Sequence, residues 1–299
     1  MKTGLPTPDS TTANMHSVMK QNNYSDDTIE RYTKLLDTLT KRGAILTDVN
    51  SVKDTIAKQQ WDNGTKQGAR NAVLLFYKYA HIAETLPSYK YTDKMTFIPT
   101  ETEIDQLISG TKHLLATFLQ TLKETACRYG EALQLKWTDF DTEANTLSIN
   151  NPEKGSNPRS LKVSNKLATM LNALPHNTNR IFPYKSKNIT RNGFFRARKR
   201  IARNTGNPRL LQIHFHTLRH WKATTELHKT NNVYAVMKLL GHKSLSNTQR
   251  YIGLLPDLTD DYVCEIAHNV NEAQKLIVNA YEYVTGTYDD GGKLFRKRK

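Results

Sequence analysis

Cysteine is scarce in this 299-residue chain: Cys127 and Cys264 stand far apart and without metal-type spacing. A disulfide framework is therefore not expected, and a reducing compartment fits. No segment has the apolar length of a membrane span, and no apolar run follows Met1 and Lys2, so neither a signal peptide nor a membrane partner is expected. Internal repeats are missing as well. The most informative shortage is of acids. From Lys154 to Thr225 there is no Asp or Glu, while the same 72 residues hold 16 Lys/Arg.

Positive charge is what the chain has in excess: 43 Lys/Arg against 28 Asp/Glu, a formal net charge of +15. Residues 1–95 hold 13 Lys/Arg against 10 Asp/Glu, and the remainder 30 against 18. A merely soluble basic face would mix its signs. A long acid-free stretch is a one-signed surface, suited to a polyanion whose phosphates release counterions on binding. Nucleic acid is the expected partner, and the expected localisation is cytoplasmic, associated with the nucleoid. The length allows one large domain or two modest ones, each with a real core.

Residues 1–15 are polar, carry two prolines and have little to bury, so disorder is expected there. Residues 16–86 read as a helical bundle. Ile29, Tyr32, Leu35, Leu36 and Leu39 form one face of a helix stopped near Gly43. Ser51 is placed to cap a short helix through Ala57. A third helix from Thr65 aligns Ala69, Val73, Phe76, Tyr77 and Ala80, with Lys66, Arg70 and Lys78 on its polar side. Residues 87–99 lack a helical period and read as a linker. Its Tyr89, Lys90, Tyr91 and Lys94 suit either DNA or plain solvent. Thr100-Glu101-Thr102-Glu103 is a capping box that opens a second domain, 100–284.

In that domain Leu114, Leu115, Phe118, Leu119 and Leu122 mark a buried helix, and 131–136 a short one. Residues 137–145 are turn-like. Segments 146–150 and 159–163 read as a β-hairpin with Lys154 near its tip. Helices are expected at 165–174, 190–203, 216–228, 233–240, 245–252 and from about 259 to 284. In the 190–203 helix Phe194, Phe195 and Ile201 are expected to point inward. Arg191, Arg196, Lys199, Arg200 and Arg203 then form either a solvated face or a track along phosphates, and the acid-free context favours DNA. Residues 285–299 end in a basic run and are expected to be a mobile tail. The fold class is mainly α with a small β-hairpin or sheet: a helical N-terminal domain and a mixed α+β second domain.

The chemistry concentrates between His216 and Tyr251, which reads H-T-L-R-H (216–220), L-L-G-H (239–242) and Q-R-Y (249–251). A tyrosine can cut a phosphodiester without metal if other groups help. The phenol, with an ordinary pKa near 10, must lose its proton. The non-bridging oxygens gain charge and need fixed cationic donors, and the planar fork of Arg suits phosphate. The departing oxygen needs a proton. Candidates exist for each role: Tyr251 as nucleophile, Arg128 and Arg219 as clamps, His216 as base or phosphate donor, His242 as a further donor, and Lys154 as proton donor to the leaving oxygen.

These residues carry a resemblance. The chain resembles the tyrosine recombinases, or phage integrases, with a tail most similar to archaeal members. The first family box stands as T-A-C-R-Y-G-E-A-L-Q-L-K-W-T-D-F (125–140). The second is H-T-L-R-H, followed by L-L-G-H 23 residues from Arg219 to His242 and by Tyr251 nine further on. Lys154 lies five residues before Arg159 in K-G-S-N-P-R, the place of the family's hairpin lysine. The match is strong over about 100–255. Residues 16–86 resemble the family's helical core-binding (SAM-like) domain in pattern. Two departures stand out: Ala126 where the box has glycine, and S-L-K-V after Arg159 without the family's proline.

The resemblance implies a site-specific recombinase acting on double-stranded DNA. Tyr251 would form a 3′-phosphotyrosyl link and free a 5′-hydroxyl. Strands would exchange through a Holliday junction with four protomers on two sites, without cofactor or required metal. Glu131 and His220 are supporting residues, and Lys66, Arg70 and Arg159 join the basic helix as DNA contacts. A type IB topoisomerase shares the chemistry and would act alone. A DNA-binding protein with a retired site is countered by the full set of six residues. A zinc site at His216 and His220 lacks a third ligand and has Arg219 beside it. A metal nuclease lacks a carboxylate pair.

Overall fold

Helix boundaries in the first ninety residues follow their capping side chains. The computed structural model of the chain describes residues 8–90, 95–252 and 262–298, and divides it into two units, Met1–Lys94 and Met95–Lys299. In the first unit, α1 (Pro8–Gln21) opens on a proline, which loses nothing where no intrahelical N–H partner exists. Ser25 caps α2 (Asp26–Lys41) by accepting from the Thr28 N–H at 3.3 Å. Asp48 caps α3 (Val49–Lys58), and Asp62 caps α4 (Asn63–Ala80) by accepting from the Thr65 N–H at 2.9 Å. The faces so aligned bury Met15, Met19, Ile29, Leu36, Leu39, Val52, Ile56, Val73 and Phe76 in one core.

The second unit begins at the expected capping box, Thr100 and Glu103, on α5 (Glu101–Ser109). Its centre is α6 (His113–Thr125), where Phe118, Leu119 and Leu122 are fully buried. Phe118 meets Phe182, Phe215, Tyr129 and Tyr184 edge-on at 5.0 to 5.9 Å. After α6 come α7 (Tyr129–Gln134) and an antiparallel sheet in the order β1 (Phe140–Asp141), β2 (Thr146–Ile149), β3 (Arg159–Lys162). Then follow α8 (Asn165–Asn172), α9 (Lys187–Thr205), α10 (Phe215–Thr230), α11 (Val233–Leu240) and the short α12 (Ser246–Gln249). The aromatic cluster thus sits between α6, which leads into the first box, and the start of α10, which carries the second.

Several expectations are corrected. Residues 8–15, expected to be disordered, are helical, because Met15 and Met19 are one turn apart and both buried; residues 1–7 lie outside the described ones. Ser51 does not cap α3; its hydroxyl accepts from the Ile45 N–H at 3.0 Å, and the carboxylate of Asp48 takes the cap. The first residues of the expected linker belong to the first unit: Tyr89 packs against its core, and its N–H donates to Gln67 Oε1 at 2.8 Å. Tyr91 and Lys94 are outside the described residues.

The largest correction is C-terminal. In place of a helix ending at 284 and a mobile tail, the chain forms β4 (Tyr262–Ala267), α13 (Val270–Val278), β5 (Glu282–Thr285) and β6 (Lys293–Arg298), paired in the order β4-β6-β5. The expected start at 259 lies outside the described residues. Period two explains the outcome. Ala267 and Phe295 face Ala273 and Leu276 of α13 in a small core, while Cys264 and Ile266 stay exposed. The basic run survives as a strand because Phe295 is its single buried anchor.

Candidate active site

Helix α6 ends at Ala126, whose φ of 51° and ψ of 19° are left-handed. This is the position where the family box has glycine. A residue with a Cβ is strained there by about 1 kcal/mol. The turn aims the Ala126 carbonyl at the helix that follows much later, where it accepts from Arg219 Nη1 at 2.5 Å.

Arg128 then heads α7, and Glu131, one turn on, is the node of the site. Its side chain is 0% exposed. One oxygen accepts from the Arg128 N–H and from Arg159 Nη2, both at 2.7 Å. The other accepts from Arg128 Nη1 at 2.9 Å and from the Glu153 N–H at 3.1 Å. Burial alone would raise the Glu131 pKa. The Arg159 bond and charge, then Arg128, overturn that and hold it down at about 2. Arg128 Nη1 also donates to Ser156 Oγ at 2.7 Å and to the Glu153 carbonyl at 3.3 Å. The described side-chain bonds of Arg128 all use Nη1.

The hairpin that carries Lys154 is therefore docked, not loose. Glu153, Ser156 and Arg159 bind the box, and the Asn157 N–H donates to the Gly241 carbonyl at 2.8 Å. Gly241 has φ +68, and a Cβ there would lie 2.8 Å from the Asn157 carbonyl and 2.9 Å from Arg159 Nη1. Both facts require glycine in L-L-G-H. Lys154 itself is exposed, with φ 56.

Helix α10 is set from below by Arg198 of α9, which is 5% exposed. Its Nη1 donates to the Ile213 carbonyl and meets His214 Nδ1 at 3.1 Å, one residue before the helix starts. Along α10, Arg219 is 2% exposed and His216 stands at the open face. Arg219 Nη2 donates to the Leu240 carbonyl at 2.8 Å and to His242 Nε2 at 3.1 Å. A guanidinium only donates, so His242 Nε2 accepts, and its Nδ1–H is left to donate to Thr248 Oγ1 at 2.9 Å. His242 thus orients Arg219 and presents no free N–H in this arrangement. Tyr251, 3% exposed, packs with Ala126, Ala223, Val236 and Leu240, and its hydroxyl lies 3.2 Å from His220 Nδ1.

The charges converge. Burial, then Arg219, Arg128, Arg159 and Arg250, lower His242 to about 4. His216 is pushed down to about 3 by the protein packed around it, then by His220, Arg219, Lys154 and Arg128. Although its ring is exposed on one side, the concavity solvates its charged form poorly. Burial raises the Tyr251 phenol, while Arg219, Arg250 and Arg128 pull the other way. Arg219, lowered to about 10 chiefly by burial, stays protonated at neutral pH. The six residues singled out in the sequence therefore share one electrostatic neighbourhood. It is basic, holds a buried tyrosine and neutral imidazoles, and suits an anion with developing charge.

The expected DNA contacts divide. Arg191, Arg196, Lys199, Arg200 and Arg203 are exposed on α9. Arg191 lies over the Tyr129 ring at 5.3 Å, and Arg200 Nη2 donates to the Gly110 carbonyl at 2.6 Å. Phe195, expected inside, is 47% exposed, with Lys199 4.6 Å above its ring. Arg159 is the correction: its side chain is 5% exposed and paired with the buried Glu131. Arg70 Nε donates to the Leu86 carbonyl at 3.0 Å, and Lys66 Nζ to the Ala57 carbonyl at 3.2 Å, so both hold their own unit together. Sequence reasoning missed Arg198, Thr248, Ser156 and Arg250. Arg198 alone left a signal, since it continues the buried face set by Thr190 and Phe194. Among the described residues, no group of three His, Cys, Asp or Glu is placed to hold a metal, and no helix is long and apolar enough to cross a membrane.

The profile of the phage integrase family matches residues 99–256, more than half of the chain. The chain belongs to the phage integrase family. Its class is that of enzymes that break and rejoin DNA strands through tyrosine. Integrase-family relatives include the tyrosine recombinase XerA of Saccharolobus solfataricus, 24% identical over 228 residues, 72% of this chain and 75% of that one. A shufflon-specific DNA recombinase of Escherichia coli is 33% identical over 135 residues, 44% of this chain and 32% of that one. In fold the chain is similar to a lambda integrase tetramer bound to a Holliday junction, with TM-score 0.63 at 13% identity, covering 83% of this chain and 78% of that one. It is also similar to the Tn1549 transposon integrase in complex with transposon right end DNA, with TM-score 0.59 at 13% identity, covering 90% and 98%.

Proposed function

We propose that this integrase-family chain is a site-specific DNA recombinase. Tyr251 attacks the scissile phosphate, a 3′-phosphotyrosyl link forms, and a 5′-hydroxyl from a partner duplex later displaces the tyrosine. Two rounds pass through a Holliday junction, with four protomers on two DNA sites. The observation that carries this reading is the joint placement of Arg219 and Tyr251: both are buried, and the guanidinium is fixed by the Ala126 and Leu240 carbonyls and His242. Arg219 and Arg128 clamp the non-bridging oxygens, His216 donates to them from the open face, and Lys154 protonates the leaving 5′ oxygen. The basic face of α9 follows the duplex, mostly without base preference. The setting is the cytoplasm, at the nucleoid.

The test is a pool of nicked duplexes with a randomised core, incubated with the chain in excess EDTA and run on a denaturing gel. The expected result is a band shifted by the protein mass, whose DNA reports the preferred site. Two duplexes bearing that site should then yield recombinant joints. Relaxation of supercoiled plasmid without joints would support a solitary topoisomerase instead. Loss of the adduct in EDTA would overturn metal-free chemistry.

A further inference from the structure

The Tyr251 hydroxyl has to lose its proton when it attacks phosphorus, and a ring nitrogen already stands beside it. His220 Nδ1 lies 3.2 Å from Tyr251 Oη, with ring centroids 5.6 Å apart. We propose that His220 accepts the Tyr251 proton during cleavage and returns it when the tyrosine leaves. This rests on the recombinase reading above and deepens it. His216, given a base or phosphate-donor role from the sequence, makes no described hydrogen bond to Tyr251 and stands one helical turn away on the open face.

The surroundings suit a proton acceptor. The titratable and charged groups facing His220 are His216 and Arg219 on its own helix, and Arg250 and Tyr251 on the segment that ends α12. Burial comes first, then Arg250 and Arg219, in pushing its imidazolium down to about 4, so the ring is neutral and one nitrogen keeps a lone pair. A DNA phosphate held by Arg128 and Arg219 offsets part of that cationic field. The basicity of His220 then rises when substrate is present. His216, exposed, stands beside it with its ring edge-on and ring centroids 4.5 Å apart.

The step balances. The Tyr251 O–H bond breaks as Oη bonds phosphorus, and the proton passes to the lone pair on His220 Nδ1. The bond from phosphorus to the 5′ oxygen breaks with its electron pair on oxygen, and that oxygen takes a proton from Lys154 Nζ. Rejoining runs the same transfers backwards, so one imidazole serves as base and then as acid.

Two variants test this, His220→Ala and His220→Asn, with the nicked duplex pool as probe and single-turnover adduct formation read from pH 6 to 10. The Asn amide oxygen can accept the phenol hydrogen bond but cannot take the proton. The expected result is a fall of about 100-fold at neutral pH in both variants. DNA binding by gel shift should be unchanged, and the deficit should shrink steadily as rising pH ionises a growing fraction of the phenol. Near-native rates in His220→Asn, or a deficit of equal size at every pH, would overturn the proposal and leave His220 a positioning residue. If the unsubstituted chain forms no adduct with the pool or with supercoiled plasmid, the recombinase reading itself is overturned, and this proposal with it. Weakened gel-shift binding in both variants would also overturn it, because a proton acceptor for Tyr251 does not hold DNA.

Discussion

Two sets of cations in the second unit share a residue type and little else. Around Glu131 stand Arg128, Arg159 and Arg219, each held by named acceptors and largely out of water. On α9 stand Arg191, Arg196, Lys199 and Arg203, exposed to solvent. A buried guanidinium is costly unless its charge is paired, and the Glu131 carboxylate pairs with two of them, Arg128 and Arg159, while Arg219 is held by the Ala126 and Leu240 carbonyls and His242. The surplus positive charge is what remains for a phosphate, in fixed geometry. The α9 cations offer reach and a salt-dependent attraction without that geometry. In the function proposed above, Arg128 and Arg219 of the first set serve catalysis and the α9 set serves encounter.

The sharpest break in this comparison is Tyr251→Phe, which should abolish the covalent adduct on a denaturing gel while gel-shift affinity persists. Next is Glu131→Gln, which leaves Arg159 and Arg128 without their countercharge. It should cost about 3 kcal/mol in denaturant unfolding and slow cleavage strongly. Acid titration separates the groups further. The lowered folded-state pKa of Glu131, about 2 against 4.5, gives stability that is present above pH 4.5 and lost as pH falls from there toward 2. The depressed histidines act earlier. His216, His220 and His242 resist protons that the unfolded chain takes up below 6.5, so stability falls from pH 6.5 toward 4 for His220 and His242 and on toward 3 for His216. Melting curves of Glu131→Gln should lose the lower phase and keep the upper one. Arg203→Ala, on the exposed set, should change stability by less than about 0.5 kcal/mol and lower the salt slope of DNA binding by about one ion. Smallest of all, Ala126→Gly relieves a left-handed alanine but removes a methyl packed near Tyr251, so the net stability change should lie within about 1 kcal/mol of zero.

Legibility in the sequence followed the same division. That Tyr251, Arg219, Arg128 and the two histidines gather in one place was readable from the boxes they stand in, and α6 because Phe118 and Leu122 are periodic. Arg159 was not, since an arginine two residues after an exposed loop looks the same whether it reaches water or a carboxylate 28 residues back. Arg198 hid in a run of basic residues whose helical phase alone set it apart. The C-terminal sheet was missed because Tyr262, Cys264 and Ile266 alternate over one short stretch, and pairing with a strand thirty residues later has no local trace. Tertiary partners made those choices.

The bond from Arg219 to the Ala126 carbonyl spans 93 residues, and Tyr251 comes later still. During synthesis at about 5–20 residues per second, the chain lengthens for on the order of ten seconds between emergence of the first box and of the nucleophile. Within that interval the basic α9 (Lys187–Thr205) enters the chain well before the proposed nucleophile. Under the proposed function, residue order thus acts as a safety interlock: a nascent chain carries its basic helix before it carries the group that breaks a strand.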